Sequence, residues 1–352
     1  MNGDRVYQEL ADALDRLPNA FPRTPSGAEL RLLRALFTPD EAWLATHLRG
    51  QMEPVEAIAA RAGLPVGEAQ ARLKRMARAG LAWGDVADGR RRFRLPPLVV
   101  GIYESAVERM DGELAALFEE YWTGGGGAGV MKYQPALHRV VPAHDSVAPE
   151  WVLPYDDVRA LLLANSTFHA ANCICRVERG VLDKACGAPV KNCLSFSAAP
   201  RRAVPGDVSR EEALAILDRA ERASLVHTVS NVAEGVWYVC YCCGCCCGVL
   251  RGITELGIQG SVARASYYAV IDADECQGCG TCVKRCQVGA ICEQDGVSVV
   301  DRARCIGCGL CVTGCPHQVA RLQRLPDAEI VPPPLDFAHW ERERLANRGL
   351  PG

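Results

Sequence analysis

Along the first hundred residues, apolar positions recur at helical spacing. Residues 28–37, 42–48 and 54–62 each read as a helix. Gly63-Leu64-Pro65 marks a turn, and a helix over 66–78 follows with Ala69, Leu73 and Met76 on one face, stopped by Gly80. The period then changes to two: Leu81-Ala82-Trp83 and Phe93-Arg94-Leu95 predict a hairpin around a tip at 84–89. Residues 104–122 (ESAVERMDGELAALFEEYW) predict one amphipathic helix, closed by Thr123 and a glycine run at 124–127 that reads as a hinge. Helices are also predicted over 156–164, after Pro154, and over 209–223, where Ser209 and Glu212 make a capping-box pair. Toward the C-terminus, strand-like runs at 268–271, 297–300 and 319–322 alternate with Gly-rich loops, and Asp295-Gly296 reads as a hairpin turn.

This pattern predicts an α+β multidomain chain. Its expected parts are a helical domain at 1–100, a helix and hinge at 101–129, a small α/β domain at 130–265, a strand-and-loop domain at 266–325 and a tail at 326–352. With 352 residues, 49% hydrophobic and 23% charged, the chain has the apolar material for packed cores, which excludes a disordered or collagen-like protein. A formal charge of −3 excludes a general polyanion binder. The GGGGAG segment lacks a preceding β-run, so it is no dinucleotide loop.

Helix, turn, helix and two-stranded hairpin, with the core EAIAARAGLPVGEAQARLKRMARAGL, resemble a winged-helix domain. From Arg61 to Arg94 nine Lys/Arg face three acidic residues (Glu68, Asp85, Asp88). The resemblance implies that Arg72, Lys74, Arg75 and Arg78 lie on the second helix and Arg90, Arg91, Arg92 and Arg94 on the wing, where winged helices meet DNA. A solvated basic face, or a docking surface for an acidic partner protein, is the competing reading.

The compositional outlier is cysteine, with 19 residues. The start MNGDRVYQELADALDRL mixes charges without an apolar run, so no signal peptide is expected. An odd total and adjacent pairs such as Cys242-Cys243 suit independent disulfides poorly. The uncharged stretch 235–250 is short for a membrane span. The expectation is a cytoplasmic protein whose thiols bind metal.

Eight of these cysteines lie in two runs. Residues 276–286 read C-QG-C-GT-C-VKR-C, and 305–315 read C-IG-C-GL-C-VTG-C before Pro316. Three thiolates spaced by two residues wrap one corner of a cubane, and a fourth, three residues on, points toward a second cluster. Zinc knuckles use C-x2-C pairs without this step. The runs resemble a bacterial-type two-cluster [4Fe–4S] ferredoxin domain. That resemblance implies that Cys276, Cys279, Cys282 and Cys315 bind one cluster and Cys305, Cys308, Cys311 and Cys286 the other. Gln287 stands where the family usually has proline, while Pro316 keeps the pattern. Cys292 is expected to be a packed strand residue, and His317 receives no role.

Ten cysteines remain: Cys173, Cys175, Cys186 and Cys193, and then Cys240, Cys242, Cys243, Cys245, Cys246 and Cys247. They exceed what core packing needs. Either some gather around a third metal centre, such as an Fe–S cluster with an open coordination site, or most are packed thiols or a structural zinc site. Cys173, Cys175, Cys186 and Cys193 are the slightly better ligand candidates, the second six the alternatives. Nearby Arg176, Arg179, Lys184 and Lys191 would stabilise thiolates, whereas His169 and His227 are expected to be packed residues. The whole order of motifs resembles a group of 4Fe-4S ferredoxin-domain proteins from anaerobic bacteria. That implies an electron carrier, or a subunit or partner of an anaerobic redox enzyme served by partner proteins. A redox-responsive winged-helix regulator and a reductase with a third metal centre are the alternatives. The catalytic residues, if any, and the oligomeric state stay open.

Overall fold

A computed structural model describes residues 3–143, 146–147 and 157–351. The chain forms two compact units. One comprises 1–130, 177–183 and 344–352, and the other 131–176 and 184–343. Among the described residues no helix is long and apolar enough to cross a membrane.

In the first unit, helices Gly3–Asp15, Ala28–Leu36, Pro39–Thr46, Val55–Ala62 and Val66–Arg78 bury one apolar face each. Thr38 caps Pro39–Thr46 through a reciprocal pair with Glu41. Ala69, Leu73 and Met76 form the buried stripe of Val66–Arg78. Trp83–Ala87 and Arg90–Arg94 pair antiparallel, and Glu53–Pro54 adds a third strand beside Arg90–Arg94. The strands run further toward the tip than the apolar alternation shows, because Asp88 and Gly89 both take positive φ and close a two-residue turn.

The helix predicted over 104–122 is broken. Tyr103–Ser105 and Val107–Arg109 are single turns, and the main helix is Gly112–Tyr121. Asp111 is the reason: in extended conformation its side chain accepts from the Leu114 N–H, starting a new helix where the apolar pattern shows no gap. The glycine run read as a hinge is a wide turn with Gly125 at φ 113°, leading into the helix Gly127–Met131. A Cβ at Gly126 would stand 2.5 Å from the Tyr121 ring, so this close turn needs glycine.

The second unit is built on a six-stranded antiparallel sheet. Its order is His138–Val141, Val226–Ser230, Tyr238–Cys242, Lys191–Ser197, Thr167–Asn172, Asp207–Val208. Helices Val158–Leu163 and Arg210–Arg222 supply Leu162, Ile216 and Leu217 to a core shared with Phe168, Leu194, Phe196 and Val239. Ser209 caps Arg210–Arg222 by accepting from Glu212 N–H. Asp157 caps Val158–Leu163, while the predicted start at Pro154 and Asp156 lies outside the described residues. Cys243 and Cys246 belong to this core.

The same unit includes the cysteine loops toward the C-terminus. Tyr267–Ile271 pairs with Ala320–Arg324, and Ile291–Gln294 with Val297–Val300, through Asp295 and Gly296 at positive φ. Short helices Thr281–Arg285 and Leu310–Thr313 follow the two loops. Cys292 lies on its expected strand but is exposed, since Ile291 alone of that strand is buried.

Candidate metal centres

The loops 276–282 and 305–311 turn tightly through four glycines in the left-handed region: Gly278, Gly280, Gly307 and Gly309. Close approach adds a second reason at two of them. A Cβ would stand 2.3 Å from the Gly296 carbonyl oxygen at Gly278, and 2.3 Å from that of Tyr267 at Gly307. Within these turns the Gly278 amide donates to Cys276 and the Gly307 amide to Cys305, and segments outside the turns add further donors. Ser298 N–H donates to Cys276 Sγ at 3.5 Å, Ala269 N–H to Cys305 Sγ at 3.4 Å and Ala290 N–H to Cys286 Sγ at 3.1 Å. Donors of this kind favour thiolate and tune whatever the thiolate binds.

The two loops sit in different surroundings. Cys279 is exposed, whereas Cys305 and Cys311 are buried. Hydrogen bonds lower the Cys276 thiol, chiefly from the Ser298 amide, and the Cys279 thiol, chiefly from the Thr281 hydroxyl. Burial raises Cys305 and Cys308, and it pushes Cys311 up to about 12. Cys308 is raised further by Cys311, Cys286 and Cys305, so these four thiols share one neighbourhood. Thiols raised in this way ionise only when a metal displaces their protons. Arg285 adds a cation here, donating to Leu310 O at 2.7 Å and Glu221 O at 3.0 Å. It packs against Gly314, where a Cβ would lie 2.1 Å from its Nε.

The ten upstream cysteines fall into two groups. Cys186, Cys243, Cys245 and Cys246 bring their sulfurs within 4.8 Å of one another. In the other group Cys173 lies within hydrogen-bonding reach of Cys175, Cys240 of Cys193, and Cys247 of Cys175 and Cys242. Of the sequence-preferred set Cys173, Cys175, Cys186 and Cys193, the fold sends Cys186 to the first group and the other three to the second. The reason is the strand-to-helix turn after Tyr238–Cys242. It folds Cys243, Cys245 and Cys246 back before Cys247 opens the helix Gly248–Thr254. The Cys243 thiol is pulled down to about 4, first by a hydrogen bond from Cys246 and then by the Arg176 cation.

Arg176 is 1% exposed and donates to Pro189 O, Asn192 Oδ1 and Tyr241 O at 3.2, 3.1 and 2.9 Å. Gln287, the departure from the ferredoxin pattern, has a partner that sequence reasoning missed: its Oε1 accepts from Gly244 N–H at 2.9 Å. The residue after Cys286 thereby touches the turn that carries Cys243 and Cys245.

Three histidines are placed by the fold. His138 and His227 are buried, and burial pulls them down to about 4 and about 3. His169, expected to be packed, lies half-exposed 3.2 Å from Asp207 Oδ1, because it points to the strand face opposite the buried Phe168 and Ala170. In the first unit Arg75, Arg78, Arg90 and Arg91 are exposed and Lys74 is half-buried. Arg72 pairs with Glu68 at 2.6 Å, and Arg92 takes Asp85 with two bonds at 2.9 and 2.6 Å. Asp40 and Glu41 share a cavity of about 240 Å³ with Arg72 and Arg75. Acidic groups therefore interrupt the basic face.

Residues 269–292 match the Fer4 family model and 297–320 the Fer4_6 model, each described as a 4Fe-4S binding domain. No curated protein and no solved structure matches the chain. The two matched segments span the strands and loops described above, and the thiols, glycines and amide donors there suit the group. The C-terminal region is a dicluster ferredoxin-like domain that carries two [4Fe–4S] clusters.

Proposed function

We propose that this protein relays electrons for a partner redox enzyme, with Cys276, Cys279, Cys282 and Cys315 holding one cluster and Cys305, Cys308, Cys311 and Cys286 the other. Bound there, the clusters supply one-electron carriage at low potential. The observation that carries the reading is the pair of cysteine loops, one exposed at Cys279 and one buried around Cys305 and Cys311. The exposed loop is the port a partner protein can approach. The inner loop is shielded: Ala143 N–H donates to Cys308 O at 3.0 Å, and Ser146 Oγ lies where a Gly309 Cβ would fall, 2.0 Å away. Shielding from water and amide donation to sulfur act on potential in opposite senses, so the two sites should differ. The N-terminal helices and hairpin, winged-helix-like in order, serve as a protein-docking module.

The test is anaerobic. Protein with intact clusters is titrated potentiometrically under electron paramagnetic resonance, then mixed with ferredoxin:NADP+ reductase and NADPH. Two reducible clusters that accept electrons from the reductase support the relay. Clusters that neither dithionite nor the reductase reduces would overturn it.

A further inference from the structure

We infer that Cys186, Cys243, Cys245 and Cys246 hold a single zinc ion in a closed tetrahedral site, separate from the two cubanes. The sulfur–sulfur spacing is that of one ion. Cys186 and Cys243 stand 3.6 Å apart, Cys245 and Cys246 3.7 Å, and Cys246 and Cys186 3.8 Å. Four sulfurs at a Zn–S distance of about 2.3 Å make a tetrahedron whose edges are about 3.8 Å. A disulfide needs about 2.05 Å, so these contacts are not bonds between sulfurs. A cubane needs more room, because its thiolates sit on four different irons and stand roughly 6 Å apart.

The same chain supplies the comparison. Among the described residues this is the sole set of three or more His, Cys, Asp or Glu ligand atoms gathered within 4.8 Å. The eight thiols of the ferredoxin loops make no such set, although Cys311, Cys286 and Cys305 are close enough to raise the Cys308 thiol. The wide sets suit clusters, and the tight one suits a lone ion.

Charge points the same way. The Arg176 guanidinium is buried, its three oxygen acceptors are neutral, its remaining side-chain partner is the Cys186 sulfur, and its Nε has no hydrogen-bond partner among the described residues. The charged groups that act on it are the thiols of Cys173, Cys243 and Cys242. A buried cation needs an anionic neighbour. A zinc tetrathiolate carries a charge of about −2 and supplies one. Four protein ligands leave no open position, which marks a structural centre and not a hydrolytic one. For a given thiolate set Zn2+ binds more tightly than Fe2+, which assigns the ion. Its structural effect is to tie Cys186, after the helix Ile174–Val181, to the turn that follows Tyr238–Cys242.

This assignment does not rest on the electron-relay reading, and its test reads metal, not activity. Full-length protein is purified anaerobically without added zinc, and zinc, iron and acid-labile sulfide are counted per chain. About one zinc per chain is expected, with X-ray absorption at the zinc edge showing four sulfurs at about 2.3 Å. Cys245 is exposed, so Cys245→Ser disturbs packing least. After dialysis against a chelator this variant should keep its iron and sulfide while its zinc falls about tenfold or more. Cobalt added to the zinc-depleted wild type should give the visible bands of a tetrahedral tetrathiolate. Wild-type protein without zinc, mononuclear iron in its place, or about four irons lost in Cys245→Ser would each overturn the proposal. If the variant fails to fold, the zinc count and absorption edge of the wild type decide alone.

Discussion

Two glycines of one loop allow a controlled perturbation. Gly278 and Gly280 flank Cys279 and take nearly the same left-handed conformation, φ 62° and 68°. Replacing either by alanine costs roughly 1–2 kcal/mol for an L-residue held in that region. They differ in what the new methyl meets. At Gly280 nothing lies within 4 Å, whereas at Gly278 the methyl would stand 2.3 Å from Gly296 O, against an ordinary contact of 3.4 Å or more. Relief requires the loop and the Asp295-Gly296 turn to separate by about 1 Å, an overpacking cost of about 1–3 kcal/mol. Gly280→Ala is therefore destabilised by about 1–2 kcal/mol and Gly278→Ala by about 2–5 kcal/mol. The displaced turn also precedes Ser298, whose N–H donates to Cys276 Sγ, so the larger cost falls on the site itself. The assay is iron and sulfide per chain after anaerobic purification, with the spectrum of the reduced protein and the unfolding midpoint measured alongside. Gly280→Ala should keep both clusters, and Gly278→Ala should lose the outer one and about half of the iron bound by the two cubanes. Equal iron retention in the two variants, or greater loss in Gly280→Ala, would refute the steric reasoning.

Gln287→Ala removes the acceptor of Gly244 N–H and should lower stability by about 1 kcal/mol in denaturant titration while both clusters stay bound; cluster loss would mean that Gln287 supports ligation directly. Burial holds His227 at about 3 against an ordinary 6.5, so the unfolded chain takes up a proton that the folded chain refuses. Stability from this residue is complete above pH 6.5 and is lost as pH falls toward 3. It should drop by about 1.4 kcal/mol between pH 7.5 and 5.5, a slope that His227→Phe reduces and that an unchanged slope in the variant would contradict. Because Arg72 and Arg92 are engaged by Glu68 and Asp85, the protein should not retard mixed-sequence duplex DNA in either redox state. Retardation that falls steeply with salt and vanishes in the Lys74→Ala/Arg75→Ala variant would establish the regulator reading instead.

Local chemistry was legible along the chain. The C-x2-C-x2-C-x3-C runs, their interleaved glycines and the flanking strand patterns placed the two-cluster domain, because a ligand loop of this kind is specified by residues within about ten positions of one another. The capping pair Ser209 and Glu212 and the stripe Ala69, Leu73 and Met76 were legible for the same reason. What failed locally failed where a single side chain overrode a periodic pattern, as Asp111 did by capping a new helix inside an apolar repeat.

The grouping of the ten upstream thiols lay beyond the sequence. Cys186 meets Cys243 and Cys246 only because Lys191–Ser197 and Tyr238–Cys242 are neighbours in the sheet, which brings the segments leading into one strand and out of the other together. Proximity in sequence put Cys186 with Cys173, Cys175 and Cys193, and strand order separated them. The same holds for Gln287, whose partner Gly244 lies 43 residues away. Spacing along the chain can specify a ligand set when one loop holds it. When the set spans segments that pair across a sheet, side-chain distances follow from strand register and the direction of the intervening turns, and those are decided by burial of the shared core.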